Sequence, residues 1–462
     1  MKNKIITIVL LLAAAGRIYA QNPVNLSLKE CLELGAENAA TIRNSHLDLE
    51  YARARKAEAF TYYFPEVKAS AMGFHLSKPL LTIDAGDLLG NSDMANNLAW
   101  QFETFAQMNG LNTSYSFIRN GFSTGLSLMQ PIYAGGKIVN SNRLAAIGVK
   151  AAEVKRSAVS RDSNIEIEQK YWTIVSLQDK LTTIETGFNL LDSLQKDIDA
   201  AYKAGLAIER NILELRQEYN SLKAQRSKLL SGIRLAKMDL FNMTGIRYTV
   251  VKIPSDETSP NIDDIILSDN LTYLQKPSDY YYDPEYALDD MAESKLLELS
   301  VKSHEIQKKI ILADALPQIG IGATYGYGRL IGVPKLSGGI FAGIQIPLSD
   351  WGKVSHKMKQ EEALIQKAVN DRDYLSSQLI LQVRQLWECV MASWEILGIA
   401  EDEVELKRII LRQVEDDFAA GMATLTQVIE AQSKLRSAET ELLDAEINYN
   451  NSVSKYIAMR GI

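Results

Sequence analysis

Apolar positions recur every seven residues through the middle of the chain. Ile208, Leu215, Leu222, Leu229 and Ala236 form one row, and Ile212, Tyr219, Arg226, Ile233 and Leu240 form its partner. Paired rows of this kind are the a and d positions of a helix packed lengthwise on another, and only Arg226 interrupts them. Leu177, Leu181, Ile184, Phe188, Leu191 and Ile198 extend the same logic upstream. The 11 prolines agree, because none falls between Ile132 and Ile253 or between Leu348 and Ile462. Proline removes a helical N–H and clashes with the preceding turn, so these stretches read as long helices. At 1.5 Å per residue, an unbroken helix from Asn140 to Lys203 is roughly 100 Å long.

Elsewhere the period drops to two. Small and larger side chains alternate from Gln318 to Arg329 and again from Gly339 to Ile346, with Gly332 and Pro334 between them. This predicts a β-hairpin over 318–346 whose strands are about ten residues long, the length that crosses an outer membrane. Glu66–Leu76 and Phe122–Gln130 form the matching pair, a hairpin over 66–130 with a longer loop holding Asp84, Asp87, Asp93 and Trp100.

The match is a repeat. A shift of 216 carries Pro131 to Pro347, Gly136 and Lys137 to Gly352 and Lys353, Tyr171 to Trp387, and Gly205 to Gly421. The chain therefore divides into a first copy over 21–246, a linker over 247–290 and a second copy over 291–462. Each copy is expected to run helix, strand, strand, long helix, glycine break, helix. The linker is rich in Asp, Pro, Ser and Tyr and predicts a small mixed element on the outside of the helices. Its acidic residues Asp279, Asp283, Glu285, Asp289 and Asp290 lack the spacing of a calcium loop and read as a solvated surface.

The first residues change the setting. Lys2 and Lys4 precede an apolar stretch from Ile5 to Ala15, and Ala20 offers a cleavage site, so 1–20 reads as a signal peptide. No later segment has eighteen consecutive apolar residues. If the exported chain crosses a membrane, it must do so as strands closed into a barrel, since open sheet edges go unsatisfied in lipid. A net charge of -7 argues against nucleic acid as partner. Cys31 and Cys389 sit in helical context and read as two buried small apolar residues. Trp351, Tyr62 and Tyr63 suit either a membrane interface or a core.

Enzyme chemistry finds no foothold. The four histidines are far apart, no His/Cys/Asp/Glu spacing suggests a metal, and no nucleophile elbow, P-loop or dinucleotide loop occurs. Neither metal nor cofactor is expected. Gly135 and Gly136 read as a strand-to-helix turn, and Gly205 and Gly421 as helix ends that need a left-handed residue.

Four strands cannot close a barrel, so several copies must each contribute four. Three would give twelve strands, although two or four copies satisfy the same argument. Amphipathic helices this long have no single core to wrap, but they can pack side by side into a tube with a wet lumen. The alternative is a periplasmic coiled-coil scaffold or adhesin with no pore.

In its motifs the chain resembles the TolC-like outer-membrane efflux proteins. The resemblance rests on Leu26 to Leu34 with Asn38, Tyr62 to Val67, Leu128 to Lys137 and its partner Ile344 to Lys353. It also rests on Tyr202 to Gly205, Phe418 to Gly421, and Leu425 to Gln432. It implies a mixed α/β membrane protein: a homotrimer whose four strands per protomer build a twelve-stranded β-barrel, continued by a periplasmic α-helical coiled-coil barrel. The implied function is an exit duct for efflux or type I secretion. Its partners would be a periplasmic adaptor, an inner-membrane transporter and outer-membrane lipid. By the same resemblance the adaptor meets Tyr202, Gly205, Phe418 and Gly421. The constriction falls at Gln427 and Glu430, one neutral and one acidic ring, and the basic latch position is Ala423.

Overall fold

The computed structural model describes residues 24–79, 81–84, 93–110, 114–117, 119–203, 208–250, 259–271, 274–329 and 333–460. The expected signal peptide and Gly205 lie outside them. In chain order the elements are β1 (Val24–Leu26), α1 (Leu28–Asn38), α2 (Ala40–Thr61), β2 (Glu66–His75), β3 (Leu81–Asp84), α3 (Asp93–Met108), β4 (Ser114–Phe117) and β5 (Asn120–Ala134). Then come α4 (Lys137–Lys203), α5 (Glu209–Thr244), β6 (Ile265–Leu267), α6 (Pro284–Ala287) and α7 (Ala292–Ala313). The chain ends with β7 (Gln318–Arg329), β8 (Lys335–Gln345), α8 (Lys353–Ala419) and α9 (Leu425–Ala458).

The proline-free stretches are helices, and the repeat is kept to the residue. Helices α4 and α8 are each 67 residues long, and Lys353 stands 216 positions after Lys137. Helices α5 and α9 begin at the same offset, Glu209 and Leu425. At 1.5 Å per residue, α4 and α8 each run about 100 Å. The chain divides into two units, and each repeat contributes to both.

The larger unit takes 1–52, 149–301 and 367–462. Its helices bury rows of apolar residues in three clusters. One gathers Leu26, Cys31, Ile167, Tyr171, Leu240 and Phe241 with Ile262, Ile265 and Leu267 of the linker. The linker is thus more than a surface appendage: β6 pairs in parallel with β1, Leu267 opposite Leu26. The buried Lys237 amine donates to the carbonyls of Ile262 (3.1 Å) and Ile265 (2.5 Å). The Tyr171 hydroxyl lies 2.9 Å from the Leu26 carbonyl oxygen, and Asp269 Oδ2 accepts from the Leu28 N–H at 2.7 Å. A second cluster stacks Tyr282 on Tyr456 and packs Trp387, Val390 and Tyr449 beside them. Trp387 is the repeat counterpart of Tyr171, so both copies place an aromatic in a core at this level.

One expectation fails here. Cys31 is buried, and burial, aided by Glu30 and Asp269, pushes its thiol up to about 12. Cys389, however, is exposed, because it sits about 100° around α8 from the buried row of Val383, Val390 and Leu397.

The smaller unit takes 53–148 and 302–366 and holds the strands of both hairpins. They form one antiparallel sheet in the order β2-β5-β7-β8. Strand β5 runs past the expected end at Gln130 through Pro131 to Ala134, with a register shift between Pro131 and Tyr133. A bulge there accommodates a residue that cannot donate to the ladder. Strand β8 starts at Lys335 rather than Gly339. The expected longer loop between β2 and β5 contains β3, β4 and the 16-residue α3. In α3 the apolar Met94, Leu98, Phe102 and Phe105 recur at helical spacing.

The register separates the two faces of the sheet. Val67, Leu128, Ala323 and Ile340 stand side by side in one row, and Ala69, Leu126, Tyr325 and Gly338 in another on the same face. The opposite face carries Lys68, Ser127, Thr324 and Gly339, then Ser70, Gly125, Gly326 and Ser337. In these central rows one face is apolar and the other small and polar, while Met72, Phe74, Met129 and Phe341 add larger apolar side chains to the second face beyond them. Among the described residues strands β2 and β8 each have a single partner, so both outer edges of the sheet are open.

The strand-to-helix turns differ between copies. Gly135 has φ +61°, and a Cβ there would lie 2.7 Å from the Ala313 carbonyl oxygen, so only glycine fits. Its counterpart in the second copy is Trp351, a bulky residue at φ +56° whose side chain is 95% exposed. That backbone costs roughly 1–2 kcal/mol in a residue with a Cβ. Tyr62 and Tyr63 are exposed as well, so none of the three aromatics is a core residue of the single chain.

Candidate functional site

The candidate site lies where the helices of each copy turn. Helix α8 stops at Ala419 because Gly421 adopts φ +76°, which lets the N–H groups of Met422 and Ala423 reach back to the Asp417 carbonyl at 2.8 and 3.2 Å. Three residues after Gly421, Thr424 starts α9 with a capping box. Its hydroxyl accepts from the Gln427 N–H at 3.4 Å, and Gln427 Oε1 accepts from the Thr424 N–H at 2.7 Å. Leu425 and Val428 then drop into a core with Ile184, Leu191, Ile198, Leu215 and Leu222. Helices from both copies therefore share one apolar cluster at this end.

The expected contact residues are distributed unevenly over this tip. Phe418 packs against the same cluster, while Gly421 is exposed and Tyr202, in the last turn of α4, is 46% exposed. Gln427 and Glu430 are both exposed on α9, on the face turned away from Leu425 and Val428. They are three residues apart, so they share that face with Ser433. Their freedom differs. The Gln427 amide is engaged in the capping box, whereas no hydrogen bond or ion pair engages the Glu430 carboxylate among the described residues.

Two polar contacts tie the copies together here, and the sequence reading missed them. Thr426 of α9 donates to Glu214 Oε2 of α5 at 2.8 Å, and Arg210 Nε donates to the other oxygen at 2.8 Å. The Arg210 guanidinium and then the Thr426 hydroxyl hold Glu214 below the usual carboxylate range. Deeper along the pair, Arg436 of α9 meets Glu218 of α5 at 2.7 Å, their side chains 11% and 18% exposed. Gly187 of α4 makes room for this pair, since a Cβ there would stand 3.3 Å from Leu222 Cδ1 and 3.4 Å from Arg436 Nη1. A usable signal existed: Arg436 interrupts the seven-step row Ile429, Leu443 as Arg226 interrupts its own.

Arg226 itself is paired. Its Nε donates to Glu185 at 2.5 Å with both side chains nearly half exposed, so the charge in the apolar row reaches both a carboxylate and solvent. Among the described residues no group of His, Cys, Asp and Glu is placed to hold a metal, and no helix is long and apolar enough to cross a membrane. What this end can do is pack, turn and present exposed polar groups on a helix face.

Residues 296–458 match the family model described as outer membrane efflux protein. No curated protein matches the chain. Solved structures share its fold along nearly the whole length. A membrane protein from Pseudomonas aeruginosa is 15% identical with a TM-score of 0.73, covering 95% of this chain and 91% of its own. The outer membrane protein VceC of Vibrio cholerae is 15% identical with a TM-score of 0.70, covering 94% and 96%. The Campylobacter jejuni outer membrane channel CmeC is 15% identical with a TM-score of 0.70, covering 96% and 90%.

Proposed function

We infer that this chain, with an outer membrane efflux protein domain in its second copy and the fold of TolC-like channels throughout, is a protomer of an outer-membrane efflux channel. The observation that carries this reading is the four-stranded sheet. Its apolar face suits lipid, the small and polar central rows of its other face suit an aqueous lumen, and its two open edges require strands from other copies. Three copies closing a twelve-stranded barrel meet that requirement, with the long helices lining a periplasmic duct.

The tip residues take their roles from this assembly. Glu430, exposed and without a partner among the described residues, supplies an acidic ring near the periplasmic entrance. Gln427 lies beside it as a neutral ring whose amide is partly used by the helix start. Tyr202, Gly205, Phe418 and Gly421 mark the turns that a periplasmic adaptor grips, with an inner-membrane pump behind it. The duct passes cargo for efflux or secretion and performs no catalysis.

The test is conductance of the purified oligomer in a planar bilayer, with native mass spectrometry of the same sample. A trimer that conducts is expected. A scaffold or adhesin would give a silent bilayer, and a membrane-inserted monomer would overturn the barrel.

A further inference from the structure

Two exposed apolar clusters flank the open edges of the sheet. Just before edge strand β2, the end of α2 turns through Tyr62 and Tyr63. Phe60 packs edge-on against Tyr63 and Phe64, at ring centroid distances of 5.7 and 5.5 Å. The turn is held firmly: the Tyr63 N–H donates to Phe60 O (3.1 Å), the Phe64 N–H to Thr61 O (2.9 Å), and Gln130 Nε2 to Tyr63 O (3.1 Å). All four aromatics are nonetheless exposed. Just after edge strand β8, Leu348 and Trp351 are 94% and 95% exposed.

The topology brings these clusters to one margin of the sheet. Gln345, at the end of β8, pairs with Gln318, which pairs with Ala134 of β5. The start of β2, Glu66, pairs with Met129 of that same strand, near the same end. Strand directions alternate across the sheet, so β8 of one copy and β2 of the next are antiparallel when a barrel closes. The end of β8 then adjoins the start of the neighbour's β2.

We propose that Trp351 and Leu348 of one copy pack against the Phe60, Tyr63 and Phe64 cluster of a second copy, pinning the seam between protomers at the foot of the barrel. The strain at Trp351 favours a protein partner. A left-handed tryptophan persists only where surrounding contacts over-determine it, and within its own chain this side chain touches almost nothing. The turn itself does not call for tryptophan, because Gly135 serves the matched position at φ +61°. What retains an aromatic there lies outside the chain, and the nearest surface the closed barrel supplies is the neighbour's cluster. The proposal rests on the oligomeric channel reading above.

Two measurements on the full-length protein in its membrane test it. With the photoreactive residue p-benzoylphenylalanine in place of Trp351, irradiation should give a covalent dimer on a denaturing gel, the attached peptide containing Phe60 to Phe64. Trp351→Gly should relieve the backbone yet lower the temperature at which the oligomer dissociates in mild detergent, with Trp351→Phe restoring most of it. Attachment to lipid alone, or a glycine variant whose oligomer is as heat-resistant as wild type or more so, overturns the contact and leaves the channel reading intact. A wild-type monomer by native mass spectrometry overturns both.

Discussion

Glu218 and Arg436 meet at 2.7 Å between a helix of the first copy and a helix of the second, both largely shielded from water. Desolvated charges are stable only while both are present, so loss of one partner strands the other. Glu218→Gln is expected to cost about 1–3 kcal/mol. The exchanged pair Glu218→Arg with Arg436→Glu should recover part of that loss. Thermal unfolding of the helical signal by circular dichroism measures both; equal losses in the single and exchanged variants would mean that packing beside Gly187, not charge, matters.

The exposed pair Arg226 and Glu185 should behave differently. Ion pairs this open to solvent contribute roughly 0–1 kcal/mol. Arg226→Leu completes an apolar row and should leave the melting temperature unchanged or higher. A sharp drop in heat resistance of the oligomer would instead make the pair a required one.

Charge at the entrance should reside in Glu430. Glu430→Gln is expected to weaken cation selectivity and block by divalent cations in single-channel recordings without disturbing assembly. Gln427→Ala should do the reverse, leaving selectivity alone and loosening the start of α9, as Thr424→Ala should at a cost of about 1 kcal/mol. The matched first-copy change Asn211→Ala removes no charge and should leave selectivity unchanged. Selectivity at the wild-type value in Glu430→Gln would place that carboxylate on a solvated outer face.

Stability should fall as the medium becomes less acidic through one particular group. Burial, then Asp179 and Glu401, raise the Glu446 carboxyl above its ordinary range, and burial raises Asp179 too. A carboxyl with a raised folded pKa binds its proton more tightly when folded. Its contribution is therefore most favourable below the unfolded value and declines as pH climbs through the window up to the folded one. Glu446→Gln should flatten that decline, raising the melting temperature more near neutral pH than near pH 4. A variant whose melting curve tracks wild type across that range would mean the carboxyl is solvated in the assembled protein.

Much of the fold was legible because its signals are long-range and redundant. The absence of proline, the seven-step rows and the offset from Pro131 to Pro347 each mark the same helices. Elements defined by contacts were not legible. The pairing of β1 with β6 joins segments far apart in sequence, and three residues leave too short a pattern to read. Cys389 was read as buried from its helical context, yet side-chain exposure depends on the helix face. At the tip, the helix end at Gly421 followed from its local sequence, whereas Gln427 and Glu430 were singled out by the resemblance. The tie from Thr426 to Glu214 followed from neither, since only the fold brings α5 and α9 together.

The equal length of α4 and α8 makes size a property written at two places in the chain. Seven residues inserted into one long helix would keep its own heptad phase but leave its twin one repeat short. A longer or shorter form of this protein is therefore reached only through coupled changes in both halves. Each half acts as the other's ruler, and the duplicated chain resists gradual drift in length far more than a protein built on one helix would.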